Sequence, residues 1–246
     1  MRTLELSVVI PVYNEERRIG VTLSAAAVFL KRRRTPVELV VVDDGSTDKT
    51  VDVVNRGFRL FPGHCRTRLI RHPKNRGKGA AVRTGVLAAR GNRILYMDAD
   101  NSTPLSEFVR FEASFRERID VVVGSRAVDR SQVRVHQPFY REFMGRVFNL
   151  MVQALALPGL WDTQCGFKAF TREAARAVFP KQTIERFGFD VELLYVARRL
   201  GFRIREVQVS WADSPGSRVR VLRDSARMFL DLLAIRWNDW KGRYRS

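Results

Sequence analysis

The chain has 246 residues and a formal net charge of +18, from 44 Lys and Arg against 26 Asp and Glu. A hydrophobic fraction of 45% beside 28% charged residues is a globular composition with enough chain to bury a core, which excludes collagen-like, coiled-coil, disordered and disulfide-scaffold proteins. Seven of the basic residues are lysine and the rest arginine, and a surface so charged expects an anionic partner: nucleic acid, anionic lipid or a phosphorylated substrate.

Residues 6–11 form an apolar, β-branched run that reads as a buried strand stopped by Pro11. Residues 15–32 have helical spacing, with Ile19, Leu23, Ala26 and Leu30 on one face. A second buried strand, 37–42, runs into Asp43-Asp44-Gly45-Ser46, and Ser46 or Thr47 is placed to cap a helix over 48–58. A short strand at 68–71, a glycine-opened helix at 75–89 and a strand at 93–97 follow, the last ending in Asp98-Ala99-Asp100. Residues 104–118 read as a helix and 120–124 as a strand. Residues 127–137 are polar and aperiodic, a loop, and 138–157 are amphipathic and helical. Thr171 is a plausible cap for a helix over 171–179, with Glu173 in its first turn. A helix over 189–200 closes at Gly201, a strand covers 203–211, residues 212–217 turn, and a basic amphipathic helix spans 219–240.

Strand and helix alternate about four times in the first half, which argues for an α/β fold with a parallel sheet and right-handed crossovers. Ligands of such sheets sit beyond the carboxyl ends of the strands. Three polar clusters fall there: Tyr13-Asn14-Glu15, Asp43-Asp44-Gly45-Ser46 and Asp98-Ala99-Asp100. With no repeat or linker, the chain is expected to be one domain, 1–218, with a C-terminal appendage, 219–246. Cys65 and Cys165 are far apart and lack metal-ligand spacing, which fits a reducing compartment. Residues 1–5 lack the layout of a signal peptide. The best apolar stretch, 228–237, is short and interrupted by Asp231 and Arg236, so no transmembrane helix is expected. His64, His72 and His136 show no ligand spacing and read as surface residues.

Two carboxylates spaced as Asp98 and Asp100 can reach one hard divalent cation, which can neutralise a departing diphosphate. An isolated D-x-D is common and usually a solvated turn. Its place after a buried strand, beside two companion clusters, favours a site. Asp43 and Asp44 can combine local capping with acceptance of a nucleobase N–H or ribose hydroxyl. Asn75-Arg76-Gly77-Lys78-Gly79 opens a helix with two cations, an arrangement that favours phosphate, although the Walker A spacing is absent. Gly124-Ser125-Arg126 follows a strand and offers an arginine to a phosphate.

The segments Val9-Ile10-Pro11-Val12-Tyr13-Asn14-Glu15, Val42 to Asp48, Asn75 to Ala81 and Asp98-Ala99-Asp100 together resemble family 2 glycosyltransferases of the GT-A fold, a Rossmann-like, mostly parallel sheet flanked by helices. The stretches 162–170, 187–195 and 214–217 look like the dolichyl-phosphate β-glucosyltransferase subgroup and match the related mannose synthases less well. Two departures stand out: Asn101-Ser102-Thr103 follows the D-x-D, and the N-terminal anchor of the eukaryotic glucosyl enzymes is not found. The resemblance implies that Pro11, Tyr13, Glu15 and Asp43, with Asp44 beside it, hold the nucleoside. It implies that Asp98 and Asp100, with Ser102 nearby, carry Mg²⁺ or Mn²⁺, and that Lys78 and Arg126 meet phosphate. Asp162, Thr163 and Gln164 would line the sugar and acceptor pocket, while Asp190 and Glu192 would contact the sugar or orient arginines.

The implied reaction is inverting transfer of glucose from UDP-glucose to a polyprenyl phosphate. An acceptor oxygen that is already anionic needs no strong base, so alignment and charge management dominate. Were the acceptor a hydroxyl, Asp162 would be the base. In the C-terminal segment, Leu232, Leu233, Trp237 and Trp240 interleave with Arg227, Arg236, Lys241 and Arg243, which suits a membrane interface. The expected location is cytoplasmic, peripheral at the inner face of the membrane, the alternative being that the helix simply packs on the domain. Rival readings are a transferase using GDP-mannose or a hydroxyl acceptor, a nucleotidyltransferase, and a nucleic-acid-binding protein. The last is disfavoured because carboxylates crowd the site and would repel a phosphate backbone.

Overall fold

The structure, a computed structural model, describes residues 4–126, 150–186, 188–212 and 221–245. The expected loop at 127–137, the expected helix over 138–149, the turn at 213–217, residues 219–220, His136 and Phe187 lie outside the described residues.

Seven strands make one sheet in the order β3-β2-β1-β4-β6-β5-β7. The strands are β1 Leu6–Val12, β2 Val37–Asp43, β3 Cys65–Arg71, β4 Arg93–Met97, β5 Val121–Ser125, β6 Phe167–Thr171 and β7 Ile204–Gln208. All pairings are parallel except those of β6, which runs antiparallel to both β4 and β5. The helices are α1 Ile19–Arg32, α2 Thr50–Phe58, α3 Lys78–Ala88, α4 Phe108–Arg116, α5 Arg172–Val178, α6 Phe189–Arg199 and α7 Val221–Trp240. Residues 150–155 are also helical. Every residue of β1 and β2 is buried, as expected for parallel strands covered on both faces. Val9, Val40, Tyr96, Val123 and Phe170 face one core with α3, α5 and α6, and Val8, Ile10, Leu39, Leu95 and Val122 face the other with α1 and α4. Met228, Leu232 and Ile235 of α7 belong to the first core.

Several local expectations change. Pro11 does not stop β1: the strand continues to Val12, and Pro11 stands opposite Val42 in register. Helix α1 starts at Ile19, because residues 16–18 form a turn held by Glu15 carbonyl bonds from the N–H groups of Arg18 and Ile19. Ser46 and Thr47 do not cap α2, which begins at Thr50. Asp48 does that work locally, accepting from the Thr50 N–H (2.9 Å) and Oγ1 (2.5 Å). Residues 105–107 form a 3₁₀ turn ahead of α4. Strand β6 was not expected, because buried Lys168 interrupts the apolar run Phe167-Lys168-Ala169-Phe170. The Thr171 cap is present, its side chain accepting from the Ala174 N–H at 3.2 Å.

Candidate active site

The chain order reverses between β1 and β4: β2 and β3 lie to one side of β1, β4 to the other. This is the switch point at which open α/β sheets form a crevice beyond their strand ends. A cavity of about 390 Å³ opens there. Its wall includes Pro11 near the end of β1, Tyr13 and Glu15 after it, Asp44 after β2, Lys78 at the start of α3, and Asp98 and Asp100 after β4.

The loops after β1 and β2 are tied together. Asn14 has φ 52°, a left-handed conformation that asparagine tolerates. Its N–H donates to Ser46 Oγ at 2.8 Å, and its Oδ1 accepts from the Thr47 N–H at 2.8 Å. The Glu15 N–H donates to Thr50 Oγ1 at 2.7 Å. Ser46 and Thr47 therefore staple the Tyr13–Glu15 turn. The Glu15 carboxylate receives a two-pronged contact from Arg18, Nε at 2.7 Å and NH2 at 2.6 Å. Arg18 also stands 3.8 Å from Asp100. Its pKa is raised above the usual arginine value, chiefly by the hydrogen bond to Glu15.

The two aspartates after β2 have different surroundings. Asp43 is fully buried, accepts from the Ser46 N–H (3.1 Å) and Arg71 Nε (3.3 Å), and is not part of the cavity wall. Asp44 reaches the wall while accepting from the backbone N–H groups of Arg76 (3.0 Å) and Gly77 (2.8 Å). It thereby shapes the turn into α3. His72, expected at the surface, is buried between Asp44 (2.7 Å) and Thr84 (3.0 Å). Gly77 has φ 115°, and a Cβ there would strike the Glu185 carbonyl, so this turn requires glycine.

Lys78 Nζ lies 2.6 Å from Asp98 Oδ1. Burial works against the ammonium, but Asp98 and then Asp190 outweigh it and hold the Lys78 pKa above its usual value. The Asp98 carboxylate rests against Gly166, where a Cβ would overlap it. Asp100 Oδ1 accepts from the Ser102 N–H at 3.0 Å; the Ser102 side chain is not on the cavity wall. Among the described residues no three acidic, histidine or cysteine side chains gather as a complete metal cage. Two adjacent carboxylates on a cavity wall nevertheless suit Mg²⁺ or Mn²⁺, since such ions take the rest of their oxygens from water and substrate phosphate.

The remaining expected residues gather behind this wall. Arg126 grips Asp162 with Nε at 2.7 Å and NH2 at 2.8 Å, and its N–H adds a third bond at 2.8 Å. Burial pushes the Asp162 carboxyl up, but Arg126 outweighs it and leaves the pKa below the usual aspartate value. A carboxylate so held is a poor base. Glu206 fixes this loop by accepting from the N–H groups of Trp161 (2.9 Å) and Asp162 (2.6 Å). Thr163 is buried, and Gln164 Nε2 lies 3.6 Å from Met228 Sδ. Asp190, in the first turn of α6, accepts from Tyr96 OH (2.6 Å) and Lys168 Nζ (2.5 Å). Glu192 points elsewhere: two residues along a helix is more than half a turn, and its carboxylate takes the N–H of Ile184 (2.8 Å) and the hydroxyl of Tyr244 (2.7 Å). Neither Arg126 and Asp162 nor Asp190 reaches the cavity wall.

Not expected from the sequence are Arg18 and Arg186 on the wall, and Tyr96 and Lys168 behind it, whereas Asn75, of the expected phosphate turn, does reach the wall. Arg18, three residues after Glu15, could have been found by helical pairing. Lys168 could have been found as a charge inside an apolar run. Arg186 carries no sequence signal.

Residues 7–179 match the Glycosyl transferase family 2 profile. The chain is 39% identical over 243 residues to a dolichyl-phosphate beta-glucosyltransferase of Dictyostelium discoideum, covering 94% of this chain and 74% of that protein. It is 39% identical over 254 residues to the Mus musculus protein of the same name, covering 99% and 78%. The fold also resembles glucosyl-3-phosphoglycerate synthase from Mycobacterium tuberculosis, solved with Mn²⁺, UDP and glucosyl-3-phosphoglycerate, with a TM-score of 0.69 at 21% identity over 94% of this chain and 80% of that one. A switch-point cavity walled by paired carboxylates, in a chain matched over most of its length, makes this protein a member of glycosyl transferase family 2.

Proposed function

We propose that the protein transfers glucose from UDP-glucose to a polyprenyl phosphate of the dolichyl type, with inversion at the anomeric carbon. The observation that carries this reading is the likeness, over nearly the whole chain, to proteins named dolichyl-phosphate beta-glucosyltransferase. Tyr13, Glu15 and Asp44 would hold the nucleoside, and Asp98 and Asp100 would hold Mg²⁺ or Mn²⁺. A divalent cation so bound supplies charge neutralisation to the diphosphate. Lys78, at the N-terminus of α3, adds a second positive charge beside the same phosphates.

In the reaction an acceptor phosphate oxygen forms a bond to the anomeric carbon as the bond to the UDP oxygen breaks. A phosphate monoester has its second pKa near ~6, so at neutral pH its oxygen is already a nucleophile. The Asp162–Arg126 pair fits this chemistry: Asp162 is engaged and weakly basic, and Arg126 keeps a cation near the anions that must meet. Asp190 would accept from a hydroxyl of the sugar. The lipid acceptor implies a membrane surface, and we assign contact with it to the outward face of α7 (residues 219–246 serving as the interfacial appendage to 1–218), giving a peripheral enzyme. No described helix is long and apolar enough to cross a membrane.

The test pairs the wild-type protein and Asp100→Ala with a panel of UDP- and GDP-sugars, with and without polyprenyl phosphate. UDP release with UDP-glucose only when lipid phosphate is present, lost by at least ~100-fold in Asp100→Ala, is the expected result. Turnover of GDP-mannose instead, or equal turnover without lipid phosphate, would replace the donor or the acceptor. Wild-type turnover in Asp100→Ala would remove the cation site.

A further inference from the structure

We propose that Lys168 is a positioning residue for transfer: its buried ammonium, itself anchored on the Cys165 carbonyl, fixes the Asp190 carboxylate. The inference rests on the transferase reading above.

Lys168 is the second residue of β6, paired with Tyr96 of β4 on one side and Val123 of β5 on the other, and is fully buried. Removing an ammonium from water is costly, and an apolar side chain of similar volume generally serves a fold as well or better. The surrounding strands are apolar, so stability alone does not call for a charge here. The ammonium makes two strong contacts, to Asp190 Oδ1 at 2.5 Å and to the Cys165 carbonyl at 2.7 Å, and lies 5.5 Å from the Tyr96 ring centre.

The consequence differs for the two partners. At Asp190, Lys168 and the Tyr96 hydroxyl both bond Oδ1, fixing the carboxylate from two directions. Among the described residues Oδ2 receives no such bond, and although Asp190 stands behind the cavity wall, this oxygen is the acceptor proposed for a substrate hydroxyl. At Cys165, the anchored carbonyl belongs to the residue before Gly166, the surface against which Asp98 is packed. The Cys165 bond anchors the ammonium, whose working partner is the Asp190 carboxylate proposed for the sugar. Lys78, in contact with Asp98, also feels the charge of Asp190.

The test is a double-mutant cycle of Lys168→Met, Asp190→Asn and both, assayed with the nucleotide sugar that the wild-type protein turns over. A wrong sugar assignment then shows in the wild-type protein and leaves the cycle intact. Lys168→Met should lower kcat by about 100-fold while donor KM and calorimetric affinity for UDP with Mn²⁺ stay within about threefold. Because Lys168 acts through Asp190, adding Lys168→Met to Asp190→Asn should cost no more than about threefold further. Wild-type kcat in folded Lys168→Met, wild-type kcat in Asp190→Asn, or losses that multiply in the double variant would each overturn the proposal. If Lys168→Met fails to fold, Asp190→Asn compared with the double variant, which buries no unpaired carboxylate, still decides it.

Discussion

Gly166 shows how much of the site hangs on one hydrogen atom. The Asp98 carboxylate occupies the space that a Cβ would need, and Gly166 is not among the residues with positive φ. Gly166→Ala should therefore leave the backbone in place and push the partly exposed Asp98 side chain aside. The melting temperature should move by no more than roughly 4 °C, as for a change of about 1 kcal/mol in a chain of this size. Affinity for UDP in the presence of Mn²⁺ should fall by about tenfold in calorimetry, because one carboxylate is no longer in register with Asp100. Unchanged affinity would mean that Asp98 is not a ligand. At this scale the sequence was legible wherever a residue acts at a strand end, in the loop after it or at a helix start: Pro11, Tyr13, Glu15, Asp44, Lys78, Asp98 and Asp100 all reach one cavity. It was illegible wherever tertiary packing decides. Asp43 and Asp44 are neighbours in sequence, yet alternation at the end of β2 turns Asp43 into a buried anchor and Asp44 toward the cavity. Likewise, the burial of His72 and the pairing of Asp162 with Arg126 depend on residues 28 and 36 positions away.

Among the elements, β1, β2 and β4 announced themselves by apolar runs, because strands buried on both faces have no polar alternation to interrupt them. Strand β6 did not, since its buried Lys168 breaks the run for a reason that only α6 and the 162–166 segment supply. Helix caps were half legible. The Thr171 cap of α5 is local, a side chain bonding an N–H three residues on, and was readable from sequence. Ser46 and Thr47 have the same chemistry but bond across to Asn14, a contact set by the adjacency of β1 and β2. Thr171→Ala should cost about 1 kcal/mol of stability. Because Thr171 pairs with Arg93, at the end of β4 opposite Asp98, kcat should stay within about twofold of wild type. Denaturant melts with parallel kinetics check both; a large loss of activity at unchanged stability would place α5 in the catalytic machinery.

Over the whole molecule, the net charge of +18 is unevenly useful. In the described part of α7 and the residues after it, both acids face the protein: Asp231 lies against Gly188, and Asp239 pairs with Arg199 (2.9 Å) and accepts from Tyr195 OH (2.7 Å). The outward side is left with Leu230, Leu233, Trp237 and Trp240, spaced along one stripe and exposed, with Lys241 over the Trp237 ring. Trp237 and Trp240 stack with their centroids 4.9 Å apart and are 54% and 72% exposed. Packing on the domain and facing a membrane are therefore compatible, since Met228, Leu232 and Ile235 fill the core from the opposite side of the same helix. An aromatic stripe flanked only by cations suits an anionic leaflet, where each basic residue near the surface contributes about 1 kcal/mol. Trp237→Ser/Trp240→Ser should reduce binding to vesicles containing phosphatidylserine by about tenfold without lowering the melting temperature, because neither ring is in the core. Binding by the wild-type protein should weaken as salt rises from about 0.05 to 0.5 M, as the Debye length shortens, and should be weak on neutral phosphatidylcholine vesicles at any salt. Equal binding to neutral and anionic vesicles would leave the charge without a role at the membrane. Unchanged binding of the double variant would move the contact away from α7 and return its arginines to the solvent.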